Sequence, residues 1–171
     1  FIDPAETDLE TYSTYSPRTT MIETDRHFEN YYEAPVYNYL VKNADGTLTN
    51  VDCRAYINVI TSDSKGKTLW KKTVPIEFGS FGGFYSGEKY NFIVFSGITN
   101  NPNKEVFRIV KYNKKFKRLG SVSIKAEEAD TQYATRSGCA RFAESGDTLV
   151  LHTSRQMFNG HQANLTITIN T

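Results

Sequence analysis

Short runs in which apolar and polar residues alternate fill the chain from about Tyr31 onward, and helical spacing is nowhere sustained. The runs are rich in β-branched and aromatic residues, and Gly, Asn and Asp separate them, which is typical of strands joined by tight turns. The pattern predicts strands over 36–42, 54–61, 68–76, 82–86, 90–96, 106–112, 118–124, 140–143, 148–153 and 163–169. The sequence therefore predicts an all-β fold.

These strands repeat along the chain. The segment 81–95 has the same order of features as 138–153: a short strand of small residues, a glycine turn and a strongly apolar strand. A third strand, a polar turn and a fourth strand then occur in the same order at 107–124 as at 56–74. A repeat of about 50 residues with four antiparallel strands matches a propeller blade. The predicted fold is four-stranded antiparallel meander repeats, about two to three blades of a β-propeller, with a β-sandwich as the alternative.

The repeat divides the chain into an irregular arm and a series of blades. Residues 1–30 are rich in Thr, Ser, Asp and Glu and are interpreted as the arm, whereas 31–77 is a partial blade, 78–125 a full blade and 138–171 a partial blade. An open arc leaves sheet edges bare, and bare edges pair with other strands. We therefore expect partners: the remaining blades of a longer polypeptide, a second chain, or further copies in a homo-oligomer.

Charge and composition exclude several classes of function. The chain has 20 basic and 19 acidic residues, so no global field favours nucleic acid. The basic run 111–118 is interpreted as a solvated turn between strands. No apolar stretch approaches the roughly 18–20 residues of a membrane helix, so no membrane insertion is predicted. Cys53 and Cys139 lack the CxxC spacing of a zinc or redox site, so no metal site is predicted, while a disulfide between them remains open.

One loop between two strands concentrates polar side chains that could carry chemistry. It contains His152, Arg155, His161 and Gln162, and imidazole titrates near neutral pH. However, the segment 152–164 has no carboxylate, and the chain has no GxSxG turn. These residues are therefore candidates for ligand binding, and whether the protein is an enzyme stays uncertain, with a non-enzymatic role favoured.

Aromatic residues are the other candidates for binding, because exposed planar rings are typical of sugar and peptide sites. Tyr85 and Trp70 are the chosen candidates, with packing in the core as the alternative. No cofactor is predicted: the turns at Asp45 and Asp63 could hold structural calcium, but the acidic spacing of a dedicated calcium loop is missing. The glycines of 79–83 are interpreted as close backbone packing at the inner strand of a blade.

A family resemblance bears on location. The segment with GGFYSG at 82–87, the hairpin 106–124 and HQANLT at 161–166 resembles secreted or surface-attached propeller-like proteins of Gram-positive anaerobic bacteria, whose function is largely unassigned. The resemblance implies an extracellular or cell-surface location and assigns no catalytic residue. The predicted function is a non-catalytic extracellular module that binds glycan or protein. The alternative is part of a hydrolase or lyase that further blades or another chain complete, with His152, Arg155 and His161 supplying polar groups.

Overall fold

Eleven β-strands form most of the regular structure in the computed structural model, which describes residues 36–171. The strands are β1 (Asn38–Lys42), β2 (Leu48–Cys53), β3 (Ile57–Ser62), β4 (Thr68–Val74), β5 (Ser80–Ser86), β6 (Tyr90–Ser96), β7 (Glu105–Asn113), β8 (Arg118–Lys125), β9 (Arg141–Ser145), β10 (Thr148–Gln156) and β11 (Gln162–Asn170). A short helix, α1 (Ala126–Ala129), and a 3₁₀ turn (Ser137–Cys139) lie between β8 and β9. The predicted all-β class is confirmed, and the predicted arm 1–30 lies outside the described residues.

The strands form three antiparallel meanders, because within each sheet every strand pairs with its neighbour in sequence. The first sheet has the order β1-β2-β3-β4, the second β5-β6-β7-β8 and the third β9-β10-β11. Four strands wound up and down in sequence order are the unit of a propeller blade. The chain is therefore built from propeller-type meander units, as the repeat predicts, and the described sheets do not close into a ring.

The first sheet has one strand more than the sequence pattern predicts. Its second strand, β2, has the sequence LTNVDC, and its buried face consists of Thr49, Val51 and Cys53. The buried Thr49 hydroxyl lies 2.7 Å from the Thr61 hydroxyl of β3, so a hydrogen bond takes the place of apolar packing. Since a buried threonine gives no hydrophobic signal, the strand was not predicted. The segment 31–77, predicted as a partial blade, thus contains a complete four-stranded sheet.

The second sheet lies between the other two and is buried on both faces. One core fills the space between the first and second sheets, and another fills the space between the second and third. The first core includes Val51, Ile57, Val59, Phe84, Ile93, Phe95, Val110 and Phe116. The second includes Phe92, Val94, Phe107, Ile109, Leu149 and Leu151. Burial on both faces explains why β6 reads as an unbroken apolar run rather than an alternating one.

Glycines let the inner strands of neighbouring sheets approach closely, as predicted for 79–83. A Cβ atom on Gly79 would lie 2.3 Å from the carbonyl oxygen of Ser96. On Gly83, whose φ is 156°, a Cβ atom would lie 3.0 Å from the Phe142 ring of β9 and 3.0 Å from the Cβ of Ala140 just before that strand. A side chain at Gly83 would therefore push the second and third sheets apart, whereas one at Gly79 would collide with the adjacent strand β6 of its own sheet.

The basic run 111–118 forms the end of β7, a turn and the start of β8, as predicted for a turn between strands. One residue of the run, Phe116, is fully buried in the first core although its backbone has φ of 55°. Its carbonyl accepts a hydrogen bond from the Lys72 ammonium at 2.7 Å. The turn therefore fastens the second sheet to the first.

Both cysteines, Cys53 and Cys139, are buried. Among residues 36–171, no helix has the length and apolar character needed to cross a bilayer.

Candidate functional site

The two ends of the stacked sheets differ in the length of their connections. At one end, here called the turn end, the strands are joined by the tight turns 43–47, 63–67, 87–89, 114–117 and 146–147. At the opposite end, here called the loop end, lie the connections 54–56, 75–79, 97–104, 126–140 and 157–161. Longer loops on a rigid frame are where binding residues concentrate in many folds. The loop end is therefore the first place to look for a site.

Exposed aromatic side chains occur at the loop end. Four rings, here called the loop-end rings, have between 39% and 64% of their surface exposed: Tyr37, Tyr56, Tyr133 and Phe158. Ile98 of the same end is 72% exposed. The turn-end segments contain a single aromatic residue, Phe116, and it is buried. The most exposed aromatic rings of the described chain thus all lie at one end.

Buried hydroxyls fix the connection that carries Tyr133. The Thr135 hydroxyl lies 2.7 Å from the Thr153 hydroxyl of the third sheet, and its carbonyl accepts a hydrogen bond from the Ser96 hydroxyl of the second sheet at 3.0 Å. The Ser137 hydroxyl donates to the Val36 carbonyl at 2.9 Å and accepts from the Val36 amide at 2.7 Å. This connection therefore joins all three sheets, and it holds Tyr133 and the neighbour of Val36, Tyr37, on one rigid support.

The turn before β3 presents Tyr56 together with polar groups. Arg54 is exposed beside it, and the Arg54 Nε atom lies 3.9 Å from the Asp52 carboxylate. The Asp52 Oδ1 atom is buried and has no hydrogen-bond partner among the described residues. The rest of the Asp52 side chain is accessible, since 40% of its surface is exposed. A strand was predicted to start at Arg54, but it starts at Ile57, and the difference exposes Tyr56.

Arg155 holds helix α1 against the third sheet. Its guanidinium donates a hydrogen bond to the Ala129 carbonyl, and its Nη2 atom lies 3.7 Å from the Asp130 carboxylate. The next residue, Thr131, donates a hydrogen bond to the Gln156 carbonyl at 2.6 Å. Arg155 thus positions the loop that carries Tyr133, while its buried Nε atom has no hydrogen-bond partner among the described residues.

The six residues proposed from the sequence are not brought together. His152 is exposed on the outer face of the third sheet, where its Nδ1 atom lies 2.9 Å from the Thr166 hydroxyl. Arg155, three residues further along β10, points to the opposite face, since faces alternate along a strand. His161 and Gln162 are exposed at the loop end close in sequence to Phe158. Only this last pair is exposed at the end that carries the exposed rings.

The two remaining candidates, Tyr85 and Trp70, pack against the cores. Tyr85 stacks on Phe142 with a ring distance of 5.6 Å, and burial raises the pKa of its hydroxyl. Trp70 is half-buried against the core between the first and second sheets. Both rings therefore have the core position that the sequence left open as the alternative.

Titration gives little support to acid catalysis. The pKa of the Glu105 carboxyl is lowered, mainly because Arg108 donates two hydrogen bonds to it, at 2.8 and 2.6 Å. The Asp45 pKa is lowered by hydrogen bonds from Thr47. A general acid needs the opposite shift. Within residues 36–171, no group of three or more His, Cys, Asp or Glu side chains is placed to hold a metal ion.

Three of the loop-end rings, Tyr56, Tyr133 and Phe158, were not singled out from the sequence. Periodicity identifies strand residues, but all three rings lie in connections, and Tyr56 was assigned to a predicted strand. A signal was present at Phe158, which stands beside Asn159 and Gly160 in a segment between predicted strands. Aromatic residues in such polar segments have no core to fill.

Comparison with known proteins adds one distant likeness. No protein-family model matches the chain, and no curated protein matches it. A solved structure of a GH43 β-1,3-galactosidase superimposes with a TM-score of 0.41 and 10% sequence identity, covering 79% of this chain and 31% of that one. The chain thus spans about a third of that structure, and no residue role or activity is carried over from it.

Proposed function

We propose that this chain is a non-catalytic extracellular module that binds a glycan at its loop end. The observation that carries the proposal is the confinement of the exposed rings to that end. Sugars bind to proteins through the faces of exposed aromatic rings and through hydrogen bonds to nearby polar groups. Three of the four loop-end rings are tyrosines, which offer both. The extracellular location rests on the family resemblance alone.

Polar groups that suit sugar hydroxyls lie beside these rings. Asp52 and Arg54 flank Tyr56, while His161 and Gln162 follow Phe158. The Asp52 carboxylate and the Arg54 guanidinium are 40% and 73% exposed, so they offer acceptors and donors at the surface. The hydroxyl bonds that join the three sheets keep the loop that carries Tyr133 in place, so little order has to be gained on binding.

Binding to a panel of immobilised polysaccharides and oligosaccharides tests the proposal, with Tyr56→Ala and Phe158→Ala as the variants. A tyrosine with 64% of its surface exposed has roughly 130 Å² available. If a sugar covers half of that area at about 25 cal/mol per Å², the loss is about 1.5 kcal/mol, or roughly tenfold in affinity. Leu69→Ala is the matched control, because Leu69 is 51% exposed but lies near the turn end, and it should bind as the unchanged protein does.

Three results would contradict the proposal. Equal losses in Leu69→Ala and Tyr56→Ala would show that the loop end is not special. Release of reducing sugar that disappears in His161→Ala would favour the hydrolase or lyase alternative, since a binding module releases no sugar. If the chain binds a protein and no glycan, and the loop-end variants lose that binding, then the ligand is a protein.

A further inference from the structure

The third sheet ends in a strand that lacks the features that normally protect an edge. Within the described part of the chain, β11 pairs only with β10, whereas the first and second sheets each have a fourth strand. β11 is nine residues long and pairs with β10 without any register shift, so its outer edge is long and regular. A regular edge of this kind offers a row of backbone donors and acceptors for another strand.

The comparable edge strands β4 and β8 are protected in two ways. Each contains two basic residues: Lys71 and Lys72 in β4, and Arg118 and Lys125 in β8. Register shifts also interrupt the pairing of each with its neighbour. Charges and bulges are the usual devices that keep edges from pairing. β11 has neither, since no charged residue occurs anywhere in 156–171.

The backbone groups that face the free edge can be identified from the strand ends. The Thr171 amide donates to the Asp147 carbonyl at 2.8 Å, and the His161 carbonyl accepts from the Met157 amide at 2.8 Å. The backbone groups of the odd-numbered residues of β11 therefore form hydrogen bonds with β10. Because the bonding direction alternates along an antiparallel strand, the N–H and C=O groups of the even-numbered residues point to the free edge. Thr166 is at the centre of this free set.

The sequence of β11 is complementary to itself about that centre. Its outer face is polar, with Asn164, Thr166 and Thr168, and its inner face is apolar, with Leu165 and Ile167. An antiparallel pair of copies centred on Thr166 places Asn164 opposite Thr168 and Leu165 opposite Ile167. Polar residues then meet polar residues and apolar residues meet apolar residues along the whole strand.

The inner face of β11 also leaves apolar surface to cover. Leu165, Ile167 and Ile169 pack against the second core but remain only half-buried. In β7, the third strand of the second sheet, Phe107 and Ile109 are fully buried. A further strand beside β11 would complete the same burial.

We propose that β11 pairs antiparallel with β11 of a second copy of this chain, about a two-fold axis at Thr166. The alternation along β11 allows an identical strand to pair with it with both faces matched. The absence of charge favours an identical partner, because a two-fold axis brings a charged residue at the centre against its own copy. The two third sheets then form one continuous sheet of six strands.

Molar mass from light scattering, measured on the full chain over a range of concentrations, tests this interface. The expected mass is twice the chain mass of 19.4 kDa. Thr166→Lys, which places two ammonium groups opposite each other, should be a monomer. Ser154→Lys is the matched control, because it adds the same charge to the same face of β10, one strand away from the edge, and it should remain a dimer.

Two further variants separate edge pairing from misfolding and test the register. Thr168→Pro removes an edge-facing N–H but no bond to β10, so it should give a monomer whose circular dichroism and thermal midpoint are retained. Thr166→Cys should form a disulfide-linked dimer on mild oxidation, since directly opposite residues lie about 5.5 Å apart between Cα atoms; Thr168→Cys should not. A chain that stays at the monomer mass at every concentration, or a dimer that survives both Thr166→Lys and Thr168→Pro, would overturn the proposal.

Discussion

Replacing Phe116 by glycine should destabilise the protein less than replacing it by alanine. The Phe116 ring is buried and stacks on Phe84 at 5.9 Å, so either change removes the same packing, worth about 3–5 kcal/mol. The backbone acts in the opposite direction, because φ at this residue is 55°. A residue with a Cβ atom has a cost of about 1–2 kcal/mol in the left-handed region, and glycine does not.

The net difference follows from these terms. Glycine avoids the backbone cost in the folded state. It also increases the conformational entropy of the unfolded chain, which lowers the stability by up to about 1 kcal/mol. Phe116→Gly should therefore be more stable than Phe116→Ala by roughly 0.5–1 kcal/mol. At Phe107, which is buried in the regular strand β7, the order should reverse, with glycine worse than alanine by about the same amount.

Urea unfolding followed by Trp70 fluorescence suits the comparison, since this single tryptophan packs against the core that contains Phe116. Domains of this kind have a free energy of unfolding of about 5–15 kcal/mol, so the loss of one ring removes much of it. All four variants are therefore compared in the same sulfate buffer, because sulfate favours the burial of apolar surface and stabilises the folded state. If glycine is worse than alanine at both positions, the left-handed backbone at Phe116 carries no strain and the reasoning fails.

Three further changes have defined outcomes. Gly83→Ala should destabilise by more than about 1 kcal/mol in urea unfolding, because the new Cβ would lie 3.0 Å from Ala140 and the φ of 156° disfavours a side chain; an unchanged midpoint would contradict the close approach of the inner strands. Arg155→Gln removes the charged donor to the Ala129 carbonyl, so amide exchange in α1 should speed up, with a stability loss of about 2 kcal/mol; unchanged exchange would show that the guanidinium does not hold the helix. Burial raises the pKa of Tyr39 above its ordinary value of 10.0, so the folded state holds this proton more tightly than the unfolded state does. The stabilisation is complete below about pH 10 and is lost as the pH rises further; the free energy of unfolding measured from about pH 8 to 11 should fall at the alkaline end, less steeply in Tyr39→Phe, and equal slopes would contradict it.

The fold could be predicted from the sequence to the extent that burial follows a period. The inner strands β6 and β7 of the second sheet have buried apolar residues on both faces and were found, whereas β2 was missed because Thr49 is buried through a hydrogen bond to Thr61. No hydrophobicity pattern contains that information. Only Val51 and Cys53 remain as an apolar signal on the buried face of β2, which is too short a pattern to predict a strand.

The candidate site was harder to predict because its position depends on contacts between distant residues. The loop that carries Tyr133 is fixed by Ser137, whose hydroxyl bonds to Val36, 101 residues earlier in the chain. Local sequence placed Tyr56 in a strand, and only the actual start of β3 at Ile57 exposes its ring. A cluster of polar residues such as His152, Arg155 and His161 is visible in the sequence, but the alternation of faces along β10 separates its members.

The outer faces of the first and third sheets differ in polarity, and this difference affects where further strands or sheets could be added. On the third sheet, the outer side of β11 has only amide and hydroxyl side chains, Asn164 and Thr166 among them, so a sheet stacked there would have to bury polar groups and supply a partner for each. On the first sheet, Leu40 is exposed and Ile60 is half-buried on the outer face, and a second sheet would cover them. Further blades, if present in a longer polypeptide or a second chain, therefore fit the face of the first sheet. The third sheet is better suited to grow at its edge, where pairing along β11 leaves the polar face in water.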